Sequence, residues 1–559
     1  MNRQLFPSGT ALLAALVVTA SCAAAQQTAQ SRATSAAPEI LFPYRPGVDV
    51  LDYDLTLELP ERGNVVRGQA LLSVKRLAPL DTLVLDLIRL DVDSVTVNGR
   101  RVGVRRTPNE IHVPLPRDAA ERVAVAVAYH GAVEDGLIIR TDPEGRWTGF
   151  GDNWPNRGRH WIPSVDHPSD KATVSWAVIA PTARTVIANG SLVERTPLPD
   201  GRVRTRWRES HPIPVYLMVI AAAPLVEYPL GNTACGLAST GDCVPQFVYT
   251  APEQRAVLPG PFAVAGEIVR YFATLVGVFP YERLAHLQSS TRFGGMENAT
   301  AIFYADALFR GGRMSEGLIA HETAHQWFGD AVTEREWPHV WLSEGFATYF
   351  AALWTRHAHG DSAFRADMER IRTSIVTDDD AVPKRPVIDT AQTELLALLN
   401  RNSYEKGGFV LHMLRAQVGD SAFFAALRRY YAQFRDATAL TDDLRRLMEQ
   451  TSGQGLGWFF DQWLRRPGFP EAEVTWSYDA SSHQVALAVK QSDRFGAFRF
   501  PLTVELRDVA GVTRRVTLEV PAERLVRLIV PGTQPSAPRA VIVDPDVALL
   551  ARLEVHQNR

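Results

Sequence analysis

Apolar and polar side chains alternate from about Val48 onward: Leu51, Tyr53, Leu55, Leu57 and Leu59 interleave with Asp52, Asp54, Thr56 and Glu58. An extended chain turns successive side chains to opposite faces, so this pattern predicts a strand buried on one side. Similar runs recur at 65–74, 82–87, 92–97, 122–129, 173–179 and 203–209. Pro60-Glu61, Asn98-Gly99 and Asn189-Gly190 punctuate them with residues that favour turns. Residues 39–247 therefore read as a β-rich domain. From about Gln254 the apolar spacing changes to three and four, at 263–276, 315–327, 343–359, 421–434 and 441–450. That is the period of helices with one buried face, and Ser421 and Thr441 stand where N-caps belong. Residues 248–465 read as a mostly helical domain. Past Pro467-Gly468, alternation returns at 473–478, 484–490, 502–506, 515–520 and 526–530, marking 466–559 as a β-sandwich-like domain. The fold class expected is multidomain α+β.

The length of 559 residues suits three such domains. With 22% charged residues and a net charge of −3 the chain is not broadly disordered. It also lacks the basic excess of a nucleic-acid binder. Only five of the 59 basic residues are lysine, but the arginines are scattered among acids.

The N-terminus changes the picture more. Arg3, the apolar run Ala11 to Ala20 and the small residues after it form the pattern of a secretory signal over residues 1–25. The run is shorter than the ~20 apolar residues a membrane span needs. A Gln-, Ser-, Thr- and Ala-rich linker at 26–38 follows. Export to the periplasm or the medium is expected, by either of two routes. Ala23 and Ala25 fit cleavage before Gln26, whereas Thr19-Ala20-Ser21-Cys22 resembles a lipobox that would leave a lipid anchor on Cys22. Either route leaves Cys235 and Cys243 as an even pair, which in an exported chain suggests a disulfide.

Candidate chemistry sits in the middle of the chain. His321-Glu322-Thr323-Ala324-His325 is HExxH inside a predicted helix. Residues four apart lie one turn above each other, so both imidazoles can face one zinc ion. Glu322 can then accept a proton from metal-activated water. Glu344 follows His325 by 19 residues, near the start of the next helix, and two antiparallel helices could return it to the histidine pair. Three protein ligands with an open fourth position are the catalytic rather than the structural arrangement.

HExxH-x18-E within Trp341-Leu342-Ser343-Glu344-Gly345-Phe346 resembles the M1 family of zinc aminopeptidases, gluzincins that include aminopeptidase N and leukotriene A4 hydrolase. Gly294-Gly295-Met296-Glu297-Asn298 resembles their GxMEN motif, and Tyr404-Glu405-Lys406-Gly407 the segment with their catalytic tyrosine. Residues 150–172, with DHPSDKA inside, resemble their N-terminal domain. The resemblance implies a thermolysin-like catalytic domain holding one Zn2+ through His321, His325 and Glu344, with Glu322 as general base. Tyr404 would donate to the oxyanion and Glu297 would pair with the substrate's α-ammonium. Gly294, Gly295 and Met296 would line a peptide laid alongside as an added strand.

Such a site would act on peptides with a free N-terminus. One departure stands out. The family usually supplies a second ammonium ligand, Gln or Glu, from the N-terminal domain, whereas this chain has Gly151-Asp152-Asn153-Trp154. Asn153, or Asp152, is the substitute expected. Two other readings stand beside this one: a thermolysin-type endopeptidase and a catalytically inactive peptide-binding scaffold. GGMEN speaks against the first; the full set His321, Glu322, His325, Glu344 and Tyr404 speaks against the second.

Overall fold

The structure is a computed structural model that describes residues 44–116, 121–234, 243–378 and 384–557. The export signal, the linker and Cys22 lie outside the described residues. So do Cys235 and the Cys243 side chain, and the disulfide expectation with them.

The N-terminal part is built on an eight-stranded sheet. Its central strands are Lys171–Pro181, Val48–Glu58, Val65–Arg76 and Arg122–Ala132. Tyr53 faces Leu72, Leu55 faces Ala70 and Leu57 faces Gly68 across the first hairpin. Tyr53, Leu55, Leu57 and Leu59 are buried as the alternation predicts, but Leu51 is not. A register shift between Val50 and Asp52 turns Val50 inward in its place, the usual effect of an extra residue in one strand.

The boundary expected at 247/248 falls inside the strand Cys243–Thr250. That strand belongs to a five-stranded sheet in the order Val226–Ala234, Cys243–Thr250, Leu284–Ser289, Ala301–Ala305, Gly295–Met296. Alternation reports that a segment is extended, not which sheet it joins. The short strand Gly295–Met296 pairs antiparallel with Ala301–Ala305 and is at the sheet's edge.

Helix Ala265–Leu275 packs on the strand Val226–Ala234 and Glu316–His325 on Gly295–Met296, while Trp341–Val376, Gly407–Val418, Asp420–Phe434 and Thr441–Ser452 pack on these helices and on one another. Trp341–Val376 is interrupted at Gly360, whose φ of 85° breaks the helical path. The two cap expectations shift, by two residues at Ser421 and by one at Thr441. Gly419 precedes the helix that starts at Asp420, and Thr441 is already helical, its Oγ1 accepting from Trp341 Nε1. The Asp443 carboxylate caps instead, accepting the Leu440 N–H at 2.8 Å.

The C-terminal part has a four-stranded sheet (Leu525–Ile529, Gln484–Gln491, Glu471–Asp479, Arg552–Gln557) and a three-stranded one (Thr513–Val520, Phe500–Arg507, Ala540–Val543). Val474, Val485, Leu487, Val489, Leu502, Val504 and Leu506 form their buried faces. Among the described residues no helix is long and apolar enough to cross a membrane.

Candidate active site

Ser315 Oγ accepts the Leu318 N–H at 3.2 Å and starts the helix Glu316–His325. Its spacing brings the Nε2 atoms of His321 and His325 to 3.1 Å from each other. Glu344, in the first turn of Trp341–Val376, places Oε2 3.4 Å from one and 3.3 Å from the other. A tetrahedral ion with bonds of about 2.0–2.1 Å has ligand–ligand edges of about 3.3–3.4 Å, so this triangle has zinc dimensions. Glu344 Oε2 is buried and, among the described residues, faces the two imidazole nitrogens without a hydrogen bond of normal geometry, as a metal ligand should. His325 Nδ1–H points at the Phe328 carbonyl at 3.2 Å, with Ser343 Oγ 2.9 Å away, which leaves the Nε2 lone pair for the ion. Burial would raise the Glu344 carboxyl, but His325 and His321 hold it at about 2.

Glu322 and Glu297 also converge on His325: the three ligand atoms lie within 4.8 Å of one another. Burial pushes the Glu322 carboxyl well above its ordinary value; Glu297 and Glu344 add to this and His325 opposes it. A carboxyl raised in this way holds a proton more readily than an exposed one, as a group that takes up and returns a proton should. Glu297 is pushed up to about 7 by burial.

Gly295 has a reason the sequence did not reveal. A Cβ there would lie 2.0 Å from Glu322 Oε1, so the glycine makes room for the Glu322 carboxylate, whereas a Cβ on Gly294 would meet nothing within 4 Å. Met296 is buried in the edge strand. Tyr404 comes from the turn Asn402–Lys406, and its ring lies parallel to that of His321 with centroids 6.0 Å apart. Burial, with Glu344 and Glu297 nearby, keeps its hydroxyl protonated far above pH 10. Gly345 meets Gly407 backbone to backbone and locks the Glu344 helix against the tyrosine turn.

Asn153 is a correction. Its amide donates to the carbonyls of Val215 and Met218 at 3.2 and 2.7 Å, and its oxygen accepts from Trp161 Nε1 at 2.8 Å. The side chain is fully buried and wholly used by the scaffold. Asp152 is no freer, since it pairs with Arg157 at 3.2 Å and Arg292 at 3.0 Å.

Sequence reasoning missed Gln326, whose amide bonds the Glu297 carbonyl and Asp330 Oδ2 at 2.8 Å each and so ties GGMEN to the zinc helix. It also missed Lys171 of DHPSDKA. This lysine reaches across from the N-terminal sheet to the carbonyls of Asp330 and Ala331 at 2.8 and 2.9 Å. A glutamine after HExxH and a lysine beside an N-terminal strand read as surface residues, because their partners are distant in sequence.

Two histidines and a glutamate on crossing helices, with a neighbouring carboxylate base, define a mononuclear zinc hydrolase site. Residues 50–217 match the Peptidase M1 N-terminal domain and residues 265–463 the Peptidase family M1 domain, and the chain belongs to peptidase family M1. It is 24% identical over 489 residues to Probable aminopeptidase 2 of Sulfurisphaera tokodaii, covering 82% of this chain and 59% of that one. To aminopeptidase N of Streptomyces lividans it is 27% identical over 473 residues, covering 79% and 53%. The chain thus spans little more than half the length of these relatives. Among solved structures, the M1 zinc metallopeptidase of Deinococcus radiodurans superposes with a TM-score of 0.66 at 28% identity, over 75% of this chain and 93% of that one. Aminopeptidase A of Legionella pneumophila, at 18% identity, shares the fold with a TM-score of 0.79 over 91% and 60%.

Proposed function

We propose that this chain is an exported zinc aminopeptidase that hydrolyses the first peptide bond of peptides with a free N-terminus. The observation that carries the reading is the placement of Glu297 within 4.8 Å of the Glu322 and His325 ligand atoms. An α-ammonium and its own carbonyl are separated by a single Cα. A carboxylate so close to the metal site therefore leaves room for one aminoacyl unit, and a charge-assisted bond there fixes the register.

His321, His325 and Glu344 would hold the zinc ion, which when bound would supply Lewis-acid chemistry for the carbonyl and for water. Glu322 takes the proton from the attacking water and returns it to the departing amine. Tyr404, held neutral by burial, donates a hydrogen bond from its hydroxyl to the oxyanion of the tetrahedral intermediate. Glu297 holds the ammonium, and the edge strand Gly295–Met296 accepts the peptide backbone as a further strand. The Deinococcus metallopeptidase has been captured as a mutant bound to a Tyr-Ser-Ala substrate, which supports a peptide as the ligand here.

The test is a pair of variants assayed on an aminoacyl arylamide and its N-acetylated twin. Glu322→Gln should keep zinc and lose turnover, and Glu297→Ala should lose the preference for the free amine. Near-normal rates in Glu322→Gln would remove the general base from this scheme. The export proposal rests on the signal pattern of residues 1–25. Mass spectrometry of the protein from its native host should find an N-terminus at Gln26 or a lipidated Cys22; an intact Met1 in the cytoplasm would refute it.

A further inference from the structure

Glu297 leads into a tight turn that joins the edge strand Gly295–Met296 to Ala301–Ala305. The Ala301 N–H closes the turn on the Asn298 carbonyl at 2.9 Å. Thr300 sits in it with a φ of 66°, in the left-handed region that a β-branched residue rarely enters. A backbone persists there only where its surroundings over-determine it, and such places cluster at functional sites.

Two buried side chains supply those surroundings, from opposite sides. Gln326 Oε1 accepts the Thr300 N–H at 2.9 Å, and Gln326 Nε2 donates to the Glu297 carbonyl at 2.8 Å, so one amide grips both ends of the connection. From the N-terminal part, the Gly190 N–H donates to Thr300 Oγ1 at 2.6 Å, and Asn189 Nδ2 to the Ala299 carbonyl at 2.8 Å. Asn189 is itself fixed: its amide also donates to the Leu217 carbonyl at 2.8 Å, and its oxygen accepts the Val219 N–H at 2.7 Å. The Asn189-Gly190 pair, which in the sequence only punctuates two strands, reaches the turn of the ammonium acid.

The brace is also tied to the metal site. Gln326 directly follows His325, whose ligand atom lies within 4.8 Å of those of Glu297 and Glu322. Metal ligand and brace are neighbours at one helix end, so the helix and the turn together set the spacing between the zinc triangle and the Glu297 carboxylate. That spacing is what admits one aminoacyl unit.

We propose that Gln326 and Thr300 are positioning residues for the Glu297 carboxylate. Through Thr300, the Asn189-Gly190 turn gives the N-terminal domain a part in amine recognition without touching the substrate. The proposal rests on the aminopeptidase reading above.

The experiment uses the zinc-loaded full chain and two probes, leucine hydroxamate and its des-amino analogue isocaproic hydroxamate, with dissociation constants from titration calorimetry. Wild type should bind the amine more tightly. Thr300→Val keeps the side-chain shape and loses the acceptor for Gly190, and Gln326→Met keeps the length and loses both bonds to the turn. In each, the dissociation constant of leucine hydroxamate should rise about fivefold or more, while that of the analogue stays within about twofold and zinc per chain is unchanged. KM for a free-amine substrate should rise with it, and kcat should move less. Thr300→Ser, which restores the hydroxyl, should recover the wild-type ratio. A merely structural role would lower the unfolding temperature without moving the ratio of the two probes. A wild-type ratio in either folded variant therefore overturns the proposal, and if Gln326→Met fails to fold, Thr300→Val decides alone. A wild type that does not discriminate defeats the aminopeptidase reading itself, whereas discrimination retained in the variants defeats only the positioning role.

Discussion

Gly345→Ala is the substitution through which the geometry can be read most sharply. The added Cβ would stand 2.8 Å from the Gly407 carbonyl carbon, 3.0 Å from its Cα and 3.2 Å from the Gly408 nitrogen. These are backbone atoms, so no side chain can swing aside. Ordinary contact begins near 3.4 Å, and the two helices must separate by about 0.6 Å. Overpacking of this kind costs about 1–3 kcal/mol. The helices that part carry Glu344 and the turn of Tyr404, so the strain falls on the proposed metal ligand and the proposed oxyanion donor together. Misplacement by ~1 Å can cost about 100-fold in rate, and a shift of about 0.6 Å should cost about tenfold or more in kcat. Steady-state kinetics on an aminoacyl arylamide, with zinc per chain by elemental analysis and thermal unfolding, would measure all three. Gly294→Ala is the control for stability, because its Cβ would meet nothing within 4 Å. A Gly345→Ala enzyme with kcat within twofold of wild type and normal zinc would show that this helix contact does not position the site.

Other outcomes follow from the same geometry. Tyr404→Phe should lower kcat by about 100- to 1,000-fold with zinc content unchanged; a loss of metal instead would assign the phenol to structure. Asn153→Ala strips three hydrogen bonds from the buried scaffold and should destabilise the fold by a few kcal/mol, at about 1–3 for each group left unpaired, without altering amine preference. A changed preference in a stable Asn153→Ala protein would restore it as a substrate ligand. His286 is buried, and burial pushes its imidazole down to about 3. Unfolded, it takes up a proton near pH 6.5, so the unfolded chain binds more protons between those values and stability is lost as pH falls from about 6.5 towards 3. His286→Phe should therefore show a shallower acid slope in pH-dependent denaturation. It should also be less stable at neutral pH, because the Tyr304 hydroxyl loses its partner at 3.0 Å.

The zinc ligands were legible because HExxH is a local pattern whose meaning survives in any helix, and Glu344 followed from one helix-to-helix return. Tyr404 was visible only through resemblance. Its place beside His321 depends on the turn Asn402–Lys406 and on Gly407 packing against Gly345, contacts that periodicity does not encode. The Asp152-Asn153 pair misled for the opposite reason, since a polar dipeptide near a substrate cleft reads as a ligand until its more distant scaffold partners, 62 to 140 residues away, are seen. Glu334, in a three-residue strand, looks like a surface acid in the sequence and is buried only through tertiary packing. The strands up to 247 alternated alike, so the pattern gave no sign that Val226–Ala234 and Cys243–Thr250 join the catalytic sheet.

The central claim is that Glu297 and the metal site together permit only the first peptide bond to be cut. Time-resolved mass spectrometry of a free decapeptide and its N-acetylated twin, each incubated with the zinc-loaded protein, tests it most directly. The account predicts a ladder shortened one residue at a time from the N-terminus and an intact acetylated peptide. Internal fragments, or equal cleavage of the two peptides, would contradict it.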